Sequence, residues 1–273
     1  MKTVIPSEIT PVQLQTIMQT AVSPRPIALA STVDKDGNSN LSPFSFFNMF
    51  STVPPILIFS PSRRVRDNTT KHTLENVLET SEVVIGTVNF PIVQQVSLAS
   101  TEYGDSVNEF IKSGLTMKDA DLVKPKLIAE CPVNFECEVL EVKPLGDQGG
   151  AGNLVICEVQ KIHIREEYLN EEGNLDQKKL DMVARLGVNY YSRSNENSLF
   201  EVPKPLVTKG IGFDQLPDSI KLSKVFTGND LGMLANVEIL PSESCHDGEN
   251  IHFEAQKLLL ESKIDEAWKV LIK

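Results

Sequence analysis

Short apolar runs alternate with polar turns along this chain, and two periods account for most of them. Thr10-Pro11 puts an N-cap residue before a proline at the first helical position, and Leu14, Ile17, Met18 and Val22 follow at helical spacing. Pro24 and Pro26 close that helix and open an extended run, RPIALASTVD. The polar turn DKDGNSN and the run LSPFSFFNMF behind it predict a β-hairpin. PPILIFS (54–60) reads as a strand and SEVVIGTV (81–88) as the next. Between them, HTLENVLET (72–80) is a helix with Leu74, Val77 and Leu78 on one face. Asn89-Phe90-Pro91 opens a helix through about Ser97, and SVNEFIKSG (106–114) opens another that stops on Gly114.

Two long strands follow. In the first, Val133, Phe135, Cys137 and Val139 alternate with Asn134, Glu136, Glu138 and Leu140; the second is NLVICEVQKIHI (153–164). The PLGDQGGAGN segment between them lacks GxGxxG and a Walker lysine, and a strand follows it, so it reads as a hairpin loop. DQKKLDMVARLG (176–187) predicts a helix. After VPKP (202–205), the loop signals GIGFDQLPDS and FTGNDLG alternate with a short strand, NVEILP. The chain ends in one apolar helical face made by Leu260, Ile264, Ala267, Trp268 and Leu271. These shifts predict a core domain over about 1–205 and a C-terminal extension over 206–273. Six or more hairpin-connected strands with inserted helices predict a mainly β fold, a β-barrel core with helical decorations. A Rossmann fold would need βαβ units and a Gly-rich first turn, which are absent.

Charge narrows the function classes. The 273 residues hold 26 Lys+Arg against 37 Asp+Glu, a formal net charge of −11. That balance excludes non-specific nucleic-acid binding and attraction to anionic membranes, both of which need cations against phosphates. No apolar run approaches the roughly 18–20 residues of a membrane span. MKTVIPSEITPVQ lacks the apolar stretch of a signal peptide. The four cysteines make no CxxC, and three of them sit in strand-like contexts and read as buried free thiols, so a cytoplasmic protein is expected. The four histidines make no HxxxH, and His163 reads as a satisfied strand residue, so no metal site is expected. Cys245-His246-Asp247 spells a hydrolase triad, but successive residues cannot converge on one reacting atom.

Candidate chemistry concentrates in two segments. SPSRRVRDNTTKHT (60–73) holds Arg63, Arg64, Arg66 and Lys71 against one acid, Asp67, with Asn68, Thr69 and Thr73 among the cations. A helix start near Thr73 adds free N–H groups and a positive dipole end, a combination that suits a single phosphate group. A solvated basic turn is the competing reading. Upstream, Phe44, Phe46, Phe47, Phe50 and Phe59 interleave with Ser42, Ser45, Asn48 and Ser51. Flat apolar side chains beside small polar ones could flank a planar heteroaromatic ring. With Ser31-Thr32 on the neighbouring strand, the segments predict a ligand with a planar end and a monophosphate end. FMN fits, and so does pyridoxal phosphate, although neither a Schiff-base lysine nor a pyridine-nitrogen partner can be picked out.

The run RPIALASTVDKDGNSNLSPFSFFNMFSTVPPILIFS resembles the signature of the flavin reductase-like, FMN-binding split-barrel family. The resemblance continues in KHTLENVLETSEVVIGTV, EFIKSGLT, KPKLIAECPVNFECEV, NLVICEV and RLGVNYYSR, and so covers most of residues 20–205. It implies a split β-barrel that forms a homodimer, with FMN in a groove at or near the dimer interface. By the matching motifs, Ser31 and Thr32 are expected at the ring edge and Asn40, Ser42 and Pro43 along the flavin. Ser45, Phe46 and Phe47 are expected on the ring and ribityl chain, and Arg64, Asn68, Thr69, Lys71 and Thr73 at the phosphate. Two positions depart from the family pattern. His72 replaces the aspartate of K-D-T, and Gly86 replaces the asparagine of V-V-N.

The resemblance implies an FMN-dependent oxidoreductase taking hydride from NADH or NADPH, with a flavin-dependent partner enzyme as a possible consumer. Arg185 and Tyr190, with Tyr191 beside them, are the substrate-side candidates; a helix cap and barrel packing are the alternative role. An FMN-binding electron carrier without its own nicotinamide site is the competing function. Pyridoxamine-phosphate-oxidase-like chemistry is the third.

Overall fold

Two residues, Ser45 and Phe46, decide the shape of the main sheet. In this computed structural model, which describes residues 1–104, 107–203 and 208–272, the N-terminal strands are β1 (Ala28–Val33), β2 (Ser39–Phe44), β3 (Phe47–Thr52) and β4 (Pro55–Phe59). They are preceded by helix α1 (Pro11–Ala21), whose Thr10 and Gln13 close a capping box. Next come α2 (His72–Thr80), β5 (Glu82–Thr87), α3 (Val93–Ala99), α4 (Glu109–Ser113) and a small ladder of β6 (Met117–Lys118) with β7 (Leu127–Ile128). The long hairpin β8 (Val133–Pro144) and β9 (Asn153–Ile164) completes a seven-stranded antiparallel sheet in the order β2-β1-β5-β8-β9-β4-β3. Its first and last strands are consecutive in the chain. Two residues between them reach roughly 11 Å at most, so the sheet must curl until its edges nearly meet. The result is a barrel with a slit between β2 and β3.

Burial follows from that closure. One apolar cluster, with Ala28, Ala30, Phe59, Ile85, Cys137 and Cys157, lies on one face of the sheet, where Leu74 and Val77 of α2 join it. The other face of β1 and β5 packs Leu29 and Val84 against α3 and Phe110 of α4. Strand β1 is therefore buried at all six positions, which explains its nearly continuous small and apolar sequence. Burial pushes the Cys137 thiol up to about 12 and drives the Cys131 and Cys157 thiols upward too, so these are packing groups rather than nucleophiles.

Several expectations fail for identifiable reasons. The helix predicted over 176–187 is one turn, α5 (Gln177–Leu180), and then a hairpin of β10 (Met182–Arg185) and β11 (Tyr191–Ser194). Asp181 ends the turn in the left-handed region, and its carboxylate accepts from Arg193 Nε at 2.7 Å across the hairpin. Bridges from Met182 to Asn89 and from Arg185 to Arg25 supply long-range pairing that helix propensity cannot match. Asn134 and Glu136, which alternate with the apolar positions of β8, are buried as well. Asn134 bonds both the N–H and the carbonyl of Ile128, and Glu136 accepts from the N–H groups of Asp121, Leu122 and Val123.

By contact the chain divides into Met1–Leu199 and Phe200–Lys273. Ser106, Lys204 and Pro205, which the sequence placed at element boundaries, lie outside the described residues. The second unit is helical: α6 (Asp218–Lys221), α7 (Gly228–Leu234), α8 (Glu249–Leu260) and α9 (Ile264–Leu271) enclose their own core around Ile220, Leu234, Leu259 and Trp268. The FTGNDLG loop signal is instead the capped start of α7, with Thr227 and Asp230 as its capping box. NVEILP forms no strand. The expected single C-terminal face is broken at Ser262, whose φ is +59°, so Leu260 is 77% exposed while Leu259 is buried. No helix among the described residues is long and apolar enough to cross a membrane.

Candidate functional site

The slit opens onto a cavity of about 830 Å³, within the range of small-molecule sites. One wall is apolar: Leu14 and Met18 of α1 and Val22 just after it face Pro43, Phe44 and Phe46 around the β2–β3 link. The other end is cationic, lined by Arg63, Arg64, Arg66 and Lys71 with Ser60 and Ser62. A second, water-sized cavity lies past Arg64 and Lys71 and is lined by Asn40, Ser42, His72, Thr73 and Glu109 among others.

The basic segment is a preformed loop. Arg64 N–H donates to Thr69 O at 2.9 Å and Asn68 N–H to Arg64 O at 2.9 Å, with Asn68 at φ +58°. Asp67 accepts from both the N–H and the hydroxyl of Thr69, and those bonds, with Arg66, hold its carboxyl down at about 2. Arg63 is spent on the loop itself, donating to Asn68 Oδ1 and O at 2.6 Å each. Arg64 is aimed by Thr69 Oγ1 and the Thr70 carbonyl. The glycine-rich loop between β8 and β9 packs directly on this segment. Gly150 N–H donates to Arg63 O, Arg63 N–H to Ala151 O, and Asn68 Nδ2 to Asp147 O. A Cβ on Gly149 would lie 3.0 Å from Arg64 O and 3.1 Å from Val65 O, so a side chain there would have to push that backbone back by a few tenths of an ångström. The sequence identified the cations but not the loop that braces them.

Lys71 is the cation left over. It makes no hydrogen bond or ion pair with any described residue; its Nζ stands 5.2 Å from the Phe44 ring centroid. Burial pushes its pKa down, neighbouring Arg64 adds to the shift, and Glu102 opposes it. Thr73 is buried, and its hydroxyl donates to Asn40 Oδ1 at 2.8 Å. Asn40 Nδ2 in turn donates to Glu109 Oε1 at 3.1 Å, and Leu41 N–H to Glu109 Oε2 at 3.0 Å. Glu109 thus fixes the strand that carries Asn40, a role that no spacing in the sequence announced.

The remaining candidates divide. Pro43, Ser45 and Phe46 line the large cavity, and Asn40, Ser42 and Thr73 the small one. Asn68 and Thr69 shape the loop without lining either cavity. Phe47 packs partly into the barrel core. Ser31 and Thr32 are 0% exposed, line neither cavity, and as strand neighbours point to opposite faces. Thr32 accepts from Asn76 Nδ2 at 3.0 Å, whereas the Ser31 hydroxyl has no partner among the described residues. Gly86, one of the two departures, faces Cys131: a Cβ there would meet Sγ at 2.5 Å.

Arg185, Tyr190 and Tyr191 sit on the β10–β11 hairpin and line neither cavity; Tyr190 is 72% exposed, and the Arg185 guanidinium lies 4.6 Å over Tyr191. The hairpin reaches the site through Arg25, which does line the large cavity. Arg25 and Arg185 exchange backbone bonds of 3.0 and 2.8 Å, and Arg25 Nη2 donates to Leu186 O at 2.9 Å. Its Nη1 donates to the carbonyls of Gln19 and Val22 at the end of α1, and Nε reaches Ser45 Oγ at 3.5 Å. One planar fork therefore ties α1, the hairpin and the β2–β3 link together. Arg25→Lys keeps the charge but not the fork, and should cost about 1–2 kcal/mol in urea unfolding.

Asp121, Glu136 and His163 come close enough to suggest a metal site, with their ligand atoms within 4.8 Å of one another. Their oxygens are already engaged: Lys161 Nζ lies 2.5 Å from Asp121 Oδ2, and Glu136 accepts from three backbone N–H groups and contacts His163 Nε2 at 2.5 Å.

Comparison with known proteins places this architecture. An uncharacterized protein of Aquifex aeolicus is 38% identical over 173 residues, covering 63% of this chain and 86% of its own length. The structure of nitrilotriacetate monooxygenase component B from Bacillus cereus is 25% identical, covers 74% of this chain and 98% of its own, and superposes with a TM-score of 0.68. A Shewanella frigidimarina protein assigned as a flavin reductase with split barrel domain shares the fold at 23% identity, covering 72% of this chain and 95% of its own with a TM-score of 0.62. Residues 20–192 match the family described as flavin reductase like domain, and with its slit seven-stranded barrel this chain belongs to that family.

Proposed function

We propose that the chain binds FMN and works as a flavin reductase, passing hydride from NADH or NADPH to the flavin. The observation that carries this reading is the joining, in one cavity, of a flat apolar wall to a braced cationic end where Lys71 makes no hydrogen bond or ion pair with any described residue. A phosphate monoester carries about −1.5 to −2 charges and three acceptor oxygens, which suits Arg64 and Lys71. Pro43, Ser45 and Phe46 would take the ring system, and Asn40, Ser42 and Thr73 line the polar cavity beyond the cations. When bound, FMN supplies the hydride acceptor, and the protein contributes orientation and charge. No general acid or base is required of the chain, and its buried thiols offer none.

The flavin chemistry is assigned to residues 1–199, with the helical unit outside it. Met49, Phe50 and Val53 on and beside β3, exposed by 65%, 64% and 91%, support a homodimer. The likeness to a monooxygenase component B supports delivery of reduced flavin to a partner oxygenase.

The test begins with the absorption spectrum of the purified protein, then FMN release on denaturation and anaerobic titration with each nicotinamide. Flavin bleaching by NADH or NADPH supports the reductase. Bound flavin that neither nicotinamide bleaches would instead make the chain an electron carrier, and failure to bind FMN would remove the cofactor. Affinity should also depend on pH with a definite sign. Lys71 must be protonated to attract phosphate, and its pKa lies below the ordinary lysine value. FMN binding should therefore weaken on the alkaline side before pH ~10.4, where an unperturbed lysine titrates.

A further inference from the structure

The cationic end of the cavity already contains a carboxylate. Glu102, from the loop after α3, stands beside the basic segment and lines both cavities. Its Oε1 accepts from Arg64 Nε at 3.1 Å and its Oε2 from Arg66 Nη2 at 3.3 Å. Arg64 is the better covered partner, with a side chain 19% exposed against 73% for Arg66. Among the described residues, Glu102 is also the acid whose field reaches Lys71 and favours its charged form.

We infer that Glu102 is an internal competitor for the phosphate position: its carboxylate holds the place on Arg64 that the ligand's phosphate takes, and so keeps flavin exchange fast. The inference rests on the flavin reading and names how that site is regulated. The chemistry favours displacement in the required direction. A half-exposed carboxylate carrying one charge makes a weak ion pair, whereas a phosphate monoester brings nearly twice the charge and a third oxygen. The displaced carboxylate keeps a partner, because Arg66 lies on the solvent side of the cluster.

The cradle does not depend on Glu102 for its shape. Arg64 stays aimed by Thr69 Oγ1 and the Thr70 carbonyl, Arg66 stays paired with Asp67 at 2.9 Å, and Arg63 stays clamped by Asn68. Glu102→Gln therefore removes the competing charge and leaves the loop in place. The consequence concerns the use of the flavin. A site that contests its own phosphate suits flavin that arrives oxidised and leaves reduced, rather than flavin held through many turnovers.

The experiment compares full-length wild type with Glu102→Gln at pH 7, titrating FMN and riboflavin by flavin fluorescence and following FMN release by stopped flow. Glu102→Gln should tighten FMN about fivefold, slow its release by a similar factor, and move riboflavin by less than about twofold. Glu102→Asp, which restores the charge, should return FMN affinity most of the way to wild type. Unchanged or weakened FMN binding in Glu102→Gln overturns the inference, since it makes Glu102 a support for the arginines. An equal gain for riboflavin overturns it as well, because the phosphate would not be the group concerned. Inorganic phosphate, read by its shift of the melting temperature, separates this inference from the flavin reading. A chain that takes up no flavin but binds phosphate more tightly as Glu102→Gln overturns the flavin reading alone. A chain that binds neither overturns both.

Discussion

Lys71→Ala should weaken FMN binding by about 10- to 100-fold and leave riboflavin within about twofold of wild type. A charge-assisted hydrogen bond is worth about 1.5–3 kcal/mol, and each 1.4 kcal/mol is tenfold in affinity. The upper end applies because Lys71 is largely shielded from solvent and has no competing hydrogen-bond partner among the described residues. Stability should scarcely change, since burial already strains the charged form and the alanine leaves no described group unpaired. Thr73 is the wrong companion for this test, although the family motif puts it beside Lys71. Its buried hydroxyl holds Asn40, so a Thr73→Ala change would disturb the binding of any flavin, with or without phosphate. Isothermal titration of both flavins decides the matter. Equal losses for the two would remove the phosphate from Lys71.

Gly86→Asn, which restores the common residue of the family motif, should destabilise this chain by about 3 kcal/mol and lower its melting temperature by roughly 6–12 °C. The added Cβ alone would meet Cys131 Sγ at 2.5 Å and Ile128 Cδ1 at 3.1 Å in a fully buried layer. The amide beyond it would then need hydrogen-bond partners among apolar side chains, at a further cost of about 1–3 kcal/mol. Gly86→Ala carries only the first penalty. Pairing it with Cys131→Ala removes the sulfur, and should recover much of the loss in thermal denaturation. If Gly86→Asn melts like wild type, the sulfur is not what excludes a side chain here. In this chain Cys131 fills the space that a side chain at position 86 would need.

The long strands of the barrel were legible because apolar residues recur along them, as in 153–164, whereas LSPFSFFNMF, read as one extended run, is divided between two strands at opposite edges of the sheet. Residues 182–185 were not, because their strand state comes from partners far away in sequence, Arg25 and Asn89, against a locally helical pattern. At the site, charge clustering revealed Arg64 and Lys71, since cations stand out in an acidic chain. It could not separate them from Arg63, whose guanidinium is used within its own loop. Arg25 carried a signal only as the first letter of the R-P motif. Glu109 looked like an ordinary first-turn acid of a helix, and only the fold brings it to Asn40. Ser31 and Thr32 are neighbours in the motif that the strand pleat sends to opposite faces, and neither lines a cavity.

The link at Ser45 and Phe46 has a mechanical consequence. It closes the sheet and forms part of one cavity wall, so that wall can retreat only if the barrel opens. The facing wall is α1, a helix with no buried residue, moored to the rest through the Arg25 fork. The two sides therefore differ in compliance as a vice differs between its fixed and its moving jaw. A guest of unfamiliar thickness is accommodated on the helix side, while the cationic end, braced by the β8–β9 loop, keeps its place on the barrel side.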